Sequence, residues 1–284
     1  MTNKITKIAI AYDFDGTLAP GNMQEHSFIP TLGIDANAFW TEAKKRAKEN
    51  DMDEILSYMQ LMLQESKIKK LQIRRIDFEN YGKDIKFFDG VESYFERINQ
   101  YAREKGITLE HYIISSGLRE FVKGTKIAKY FENIFASGFN YDSNGIATWP
   151  ALAINYTNKT QFLFRINKGI KNSYDNTEIN KYTPENERPI PFSRMIYIGD
   201  GETDVPAMKM IKYQGGAAIA VYNPNITAKK DKPSPKQICE DLISQNRADY
   251  LAPTDYTEGS VLDKLIKTII DKIYAETELK KYTK

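Results

Sequence analysis

The chain has 284 residues, enough for one large α/β domain or two smaller ones. Its 40 Lys and Arg nearly balance 38 Asp and Glu, and the net charge of +2 gives no electrostatic case for nucleic acid or an anionic membrane surface. Cys239 is the single cysteine, which leaves no internal disulfide and suits a reducing compartment. No apolar run reaches the ~20 residues of a membrane span, and Met1-Thr2-Asn3-Lys4-Ile5 lacks the apolar stretch of a signal peptide. A cytoplasmic protein without a membrane partner is expected.

The first element is the apolar run Ile8-Ala9-Ile10-Ala11-Tyr12, which leads into Asp13-Phe14-Asp15-Gly16-Thr17. It predicts a buried central strand of a parallel sheet. Asp13 and Asp15 then stand at its C-terminal end, where open α/β sheets place their ligands. On an extended chain the two acids share one face, with Phe14 on the other, and Gly16 lets the chain turn away. From 20 to 86 the pattern turns helical. Phe39, Trp40, Ala43 and Ala47 recur at helical spacing, as do Met52, Ile55, Leu56, Met59, Met62 and Leu63. Two or three amphipathic helices are predicted, with the Met stripe as packing. Glycines at both connections, Gly21 and Gly90, are candidate hinges.

Strand and helix alternate from residue 87 onward. A helix over 91–105 stops at Gly106, and a strand over 109–114 ends in Ser115-Ser116-Gly117. A helix over 118–131, a short strand at 134–136 and a hairpin over 139–148 follow, with Asn144-Gly145 as its tight turn. Ser115 offers a hydroxyl, and Ser116 and Gly117 offer backbone N–H groups where the helix begins, a natural anion site. A helix over 160–171 precedes a polar surface excursion at 172–191. A strand at 195–198 ends in Gly199-Asp200-Gly201-Glu202-Thr203-Asp204. Asp204 also reads as the N-cap of the helix at 204–212, with Pro206 in its first turn. A strand at 217–221, a Lys/Pro-rich loop, a short helix, a strand at 249–252 and a helix from about Ser260 complete the chain. This alternation predicts an α/β fold with a doubly wound, Rossmann-like parallel sheet, an inserted helical segment and a small hairpin.

The Asp-x-Asp-Gly-Thr at Asp13 to Thr17, the strand-terminal Ser115 and the Gly-Asp-Gly-x-x-Asp at Gly199 to Asp204 come in the order of the motifs of the haloacid dehalogenase-like hydrolase superfamily, which the chain resembles. The helical insert between the first two motifs resembles the cap of its phosphoserine-phosphatase-like branch. The resemblance implies a core domain of 1–19 and 87–284 and a helical cap domain of 20–86. It also implies a Mg²⁺-dependent phosphatase that hydrolyses a small-molecule phosphomonoester through an aspartyl-phosphate. Asp13 would be the nucleophile and Asp15 the general acid and base. Ser115, Ser116 and Gly117 would hold the phosphate. Mg²⁺ would be bound by Asp13, the backbone carbonyl at Asp15 and Asp200, with Asp204 as a ligand or orienting the ion's water. A phosphate dianion beside Asp13 needs such a cation.

Two lysines compete for the family's charge-balancing role. In a doubly wound fold the helix starts at the active edge, so Lys159 is preferred over Lys168, which lies nine residues or roughly 13 Å further along. The same fold carries phosphomutases and phosphotransferases, and a phosphate-ligand sensor is the alternative outside enzymes. A dehalogenase is disfavoured, since that branch needs neither an acid at the Asp15 position nor a metal. The substrate should be set by the cap and the loop over 19–30, which holds Asn22, Gln24, Glu25 and His26. Glu25 resembles a glutamate of phosphoserine phosphatases but lies at a longer spacing from Asp13, so that role is not carried over. His26 reads as a solvated loop residue.

Overall fold

The computed structural model describes residues 6–228 and 232–282. The readings of residues 1–5 and of the middle of the Lys/Pro-rich loop lie outside these. Seven strands form one sheet in the order β4-β3-β2-β1-β5-β6-β7. They are β1 (Thr6–Tyr12), β2 (Ile107–Leu118), β3 (Phe131–Tyr141), β4 (Ala147–Leu152), β5 (Met195–Gly199), β6 (Ala217–Tyr222) and β7 (Tyr250–Pro253). All pairs are parallel except the β3–β4 hairpin at the edge. From β1 the chain winds outward through β2 and β3, then returns to β5 on the other side of β1. The strand order therefore reverses between β1 and β5, and a crevice opens at their C-terminal ends.

Both faces of the sheet are covered, which explains the unbroken apolar run of β1. Ile8, Ile10 and Tyr12 enter one apolar cluster, and Ala9 and Ala11 enter the other. The same alternation sends Phe14 into the first cluster, edge-on to Phe87 at 6.3 Å.

The segment between β1 and β2 carries α1 (Met23–His26), α2 (Phe28–Leu32), α3 (Ala36–Asn50), α4 (Glu54–Ile68) and α5 (Arg75–Gly82), followed by α6 (Val91–Arg103). Five helical pieces thus stand in 20–86 where two or three were expected. The two long ones start on aspartate caps. Asp35 accepts from the Ala38 N–H at 3.0 Å, and Asp53 accepts from those of Ile55 and Leu56 at 2.9 and 3.0 Å. Met59 and Met62 of the Met stripe are fully buried, and Phe28, Phe39 and Phe78 join the same apolar cluster as Ile8 and Ile10. Gly90 sits at φ +83, where a Cβ would meet the Tyr256–Thr257 backbone at 2.4 Å. Close packing therefore accounts for Gly90, and it is not a free hinge.

β2 runs past Ser115 to Leu118, and the expected helix over 118–131 is only α7 (Arg119–Gly124). It ends where Gly124 lies against α5, since a Cβ there would stand 1.8 Å from the Glu79 carbonyl oxygen. Phe131 instead begins β3 by pairing with His111. The hairpin loop is wider than a two-residue turn. The Asp142 carboxylate accepts from the Asn144 and Ile146 N–H groups, both at 2.9 Å, and only Gly145 takes a left-handed φ.

On the second face lie α8 (Lys159–Lys168), a short α9 (Thr177–Asn180), α10 (Val205–Tyr213) and α11 (Pro235–Ser244). Gly169, at φ +72, stops α8 three residues before the expected end. The polar excursion at 172–191 is pinned by Arg165, whose guanidinium donates to the carbonyls of Asn172, Ser173 and Asp175. The last helix, α12 (Val261–Leu279), starts on Ser260, whose Oγ accepts from the Asp263 N–H. No helix among the described residues is long and apolar enough to cross a membrane.

Candidate active site

Asp13 follows β1 directly, and its backbone N–H donates to the Ile198 carbonyl of β5 at 2.9 Å. This locks the first acid against the strand that delivers Asp200 and Asp204. Carboxylate oxygens of Asp13, Asp200 and Asp204 lie within 4.8 Å of one another. Lys159 opens α8 and is buried among them, its Nζ 3.0 Å from Asp13 Oδ1 and 2.6 Å from Asp204 Oδ1. Lys168 is elsewhere. Its Nζ donates to the carbonyls of Ile179 and Lys181 and holds the polar excursion.

Asp204 has both oxygens engaged. Oδ1 accepts from Lys159 and from the Tyr197 hydroxyl at 2.6 Å, and Oδ2 accepts from the Asp200 N–H at 3.2 Å. It is fully buried and makes no side-chain cap to α10, so the N-cap reading of its side chain is not what the structure contains. Asp200 is packed against the first motif. At Gly16, φ +74, a Cβ would meet Asp200 Oδ2 at 2.0 Å.

Asp15 is turned toward the inserted helices, where its Oδ1 accepts from the Met23 N–H at 2.9 Å. Gly117 completes this contact, because a Cβ there would strike Met23 Cε at 2.2 Å and Asp15 Oδ2 at 3.0 Å. The expected cradle of N–H groups is altered. The Gly117 N–H donates to Ser115 Oγ at 3.0 Å, the Leu118 N–H points at Met23 Sδ, and the helix starts one residue later at Arg119. Ser115 and Ser116 still line the cavity above the acids. This cavity has a volume of about 410 Å³ and is walled by Asp13, Asp15, Asp200 and Lys159 on its floor.

The electrostatics follow from three converging carboxylates and one ammonium in a buried place. Burial pushes the Asp13 carboxyl up to about 6, with Lys159 pulling down and Asp204 adding to the rise. Asp200 and Asp15 are held well above the usual carboxylate range, first by burial and then by the charge of Asp13. Burial works to lower the Lys159 ammonium, but Asp13 and Asp204 outweigh it and hold it above its ordinary value. A divalent cation would relieve this excess negative charge. The hard, crowded oxygen donors of Asp13 and Asp200 suit Mg²⁺.

Two further contacts tie α4 over the cavity mouth. The Tyr58 hydroxyl donates to the Ser116 carbonyl at 2.7 Å, and Asn155, just before α8, donates to Asp53 Oδ2 at 2.8 Å. Glu25 Oε1 is occupied by Asn22 and by the Trp40 indole N–H, both at 2.6 Å. His26 Nε2 lies 3.1 Å from the Pro20 carbonyl and so ties down the loop.

The sequence reading missed Tyr197 and Tyr58. A phenol inside the aliphatic strand Met195-Ile196-Tyr197-Ile198 was the available signal, since a buried hydroxyl needs a partner. Tyr58 was hidden in the packing pattern of α4.

Three comparisons with known proteins bear on this geometry. The profile of the haloacid dehalogenase-like hydrolases matches residues 10–209. An uncharacterized protein of Borreliella burgdorferi (strain ATCC 35210 / DSM 4680 / CIP 102532 / B31) is 30% identical, over 96% of this chain and 99% of its own. A substrate-bound phosphoserine phosphatase has a similar fold at 17% identity and a TM-score of 0.55, covering 94% of this chain and 100% of that one. A HAD family hydrolase from Salmonella enterica serovar Typhi matches at 18% identity and a TM-score of 0.55, over 92% and 70% of the two chains. The chain belongs to the haloacid dehalogenase-like hydrolases, with the family's helical region between β1 and β2.

Proposed function

We propose that this hydrolase is a Mg²⁺-dependent phosphatase of a small-molecule phosphomonoester and works through an aspartyl-phosphate. The convergence of Asp13, Asp200 and Lys159 beneath one cavity at the switch point of the sheet carries the reading. Asp13 attacks phosphorus, and the bond to the leaving oxygen breaks as Asp15 gives that oxygen a proton. Asp15 then takes a proton from the water that attacks the aspartyl-phosphate, releasing inorganic phosphate and restoring both carboxyls. Burial and the charge of Asp13 raise the Asp15 pKa, which favours the protonated carboxyl that a general acid needs. Lys159 balances the phosphate charge, and Asp204 holds it in place. Ser115 Oγ accepts from Gly117, which leaves its own hydrogen to donate to a phosphate oxygen. Asp13 and Asp200 would hold Mg²⁺ together with the backbone carbonyl at Asp15. When bound, Mg²⁺ supplies charge neutralisation and polarisation of the phosphoryl group. Residues 20–86 form the cap domain in this reading.

Asp13→Asn is nearly isosteric and tests the assignment. Phosphate release without any acceptor alcohol should fall at least ~10³-fold, with the unfolding transition retained. Mg²⁺ should raise Tm in the wild type and much less in Asp200→Asn. Normal turnover by pure Asp13→Asn would overturn the mechanism, and activity undiminished by EDTA would overturn the metal.

A further inference from the structure

Asp15 takes a hydrogen bond from the insertion. The Met23 N–H, at the start of α1, donates to its Oδ1 at 2.9 Å. α1 has only four residues, and Asn22 before it makes no side-chain cap. One turn of helix has too few internal bonds to fix the direction of its own first N–H groups. The hydrogen bonds of Glu25 and His26 stay within the insertion, on Asn22, Trp40 and Pro20. Met23 instead crosses to β2. Its side chain is fully buried, and its Sδ accepts from the Leu118 N–H at 3.1 Å. A Cβ built on Gly117 would meet Met23 Cε at 2.2 Å, Met23 Sδ at 2.7 Å and Asp15 Oδ2 at 3.0 Å. The thioether, the carboxylate and the end of β2 therefore crowd round one point, in the space that Gly117 leaves open.

The two parts of Met23 thus do different things. Its main chain orients the carboxylate, and its side chain anchors that main chain to the strand that carries Ser115. An unbranched, flexible side chain suits so narrow a gap. Cut short, it would release the N–H, and the Asp15 carboxyl would turn with it. A general acid must lie within hydrogen-bond reach of the oxygen it protonates, and a displacement of ~1 Å costs about 10²-fold.

We propose that Met23 is the positioning residue of the general acid: its thioether, lodged against Gly117 and Leu118, holds its own N–H on Asp15. This rests on the phosphatase reading above, in which Asp15 protonates the leaving oxygen.

Leaving groups separate this role from a merely structural one. Benzyl phosphate needs a proton on its departing alkoxide, whereas 2,4-dinitrophenyl phosphate releases a stable anion. The kcat/KM covers the steps through P–O cleavage and leaves out the later water step, in which Asp15 is the base. Met23→Val removes Sδ and Cε and keeps an apolar stub. In the full chain with Mg²⁺ it should lower kcat/KM for benzyl phosphate about 10²-fold and for 2,4-dinitrophenyl phosphate by less than about fivefold. Met23→Leu conserves volume but lacks the sulfur, and it should shift the ratio of the two esters the same way by about tenfold. It carries the test if Met23→Val has no unfolding transition. Asp15→Asn should show the same dependence on the ester, in larger measure. Equal losses on both esters in the Met23 variants, or no loss, beside a selective Asp15→Asn would overturn the role of Met23 alone. Equal losses in Asp15→Asn itself, or no Asp13-dependent phosphate release from either ester, would overturn the phosphatase reading and this role with it.

Discussion

Gly16→Ala separates backbone strain from damage to the site. Gly16 has φ +74, and a Cβ there would stand 2.0 Å from Asp200 Oδ2 and 2.5 Å from its Cγ. To reach an ordinary 3.4 Å contact, that oxygen must retreat by about 1.4 Å. Left-handed backbone at alanine costs ~1–2 kcal/mol, which lowers Tm by a few degrees in a chain of this size. The retreat of Asp200 is the larger matter. Metal–ligand distances tolerate about 0.2 Å, and misplacing a reacting group by ~1 Å costs about 10²-fold. Gly145→Ala is the control, because Gly145 has φ +75 and nothing within 4 Å of its added Cβ. Both variants should lose similar stability by thermal unfolding in EDTA. Gly16→Ala alone should lose the Mg²⁺-induced rise in Tm and about 10²-fold in turnover at saturating Mg²⁺. If its turnover stays within a few-fold of Gly145→Ala, Asp200 is not where the metal and phosphate need it.

Two more outcomes follow from buried side chains. Tyr197→Phe removes one donor from Asp204 Oδ1 and leaves Lys159 there. It should cost ~1.5–3 kcal/mol of stability and lower kcat about tenfold with KM unchanged; an unchanged kcat would show that Asp204 needs no second anchor. His111 is buried between the Tyr12 hydroxyl and Asn99 Oδ1, both at 3.0 Å, and burial lowers its pKa from 6.5 to about 3. The unfolded chain therefore binds the extra proton between those values, so this contribution is complete above pH ~6.5 and fades as pH falls toward ~3, by about 2 kcal/mol between pH 7 and 5. Asp13, raised to about 6, acts in the opposite sense, so the measurement is the urea stability of wild type minus His111→Gln. That difference should drop by about 2 kcal/mol from pH 7 to 5, and a pH-independent difference would contradict a neutral buried histidine.

β1 and β5 were legible because a buried strand has to be apolar and a ligand edge has to be polar. Each junction is a sharp break in the sequence, at Tyr12-Asp13 and at Ile198 to Asp200. Lys159 was legible from where a crossover helix starts, and the distance to Lys168 separated the two. The ends of β2 and β3 were not legible. Residues 118–131 have the composition of a helix, but the approach of α5 at Gly124 and the pairing of Phe131 with His111 decide the local structure. Both are contacts between residues far apart in sequence. The partners of the N–H groups after Ser115 were not legible for the same reason, since Met23 comes from the inserted helices to meet Leu118. Periodicity also registered which face of α3 and α4 is apolar without revealing that this face shares a cluster with β1.

Gly82 and Gly124 bring the backbones of α5 and α7 into contact, and Phe78 lies between Phe121 and Phe139 with centroids 5.6 and 5.5 Å away. The inserted segment is therefore not one exchangeable part. Its last helix is a wall of the sheet layer, and excising all of 20–86 would strip Phe121 and Phe139 of their cover. The α3–α4 hairpin is different. It enters at Gly33, leaves before Ile73, and meets the core through the buried Phe39, Met59 and Met62 and, near the cavity, through the Tyr58 and Asp53 hydrogen bonds. A hairpin with the same apolar face would replace it and bring a new cavity roof while leaving α5 docked. A graft over 34–72 should fold where a graft over 20–86 should aggregate, so the part of the insertion that can be exchanged without uncovering the sheet is little more than half its length.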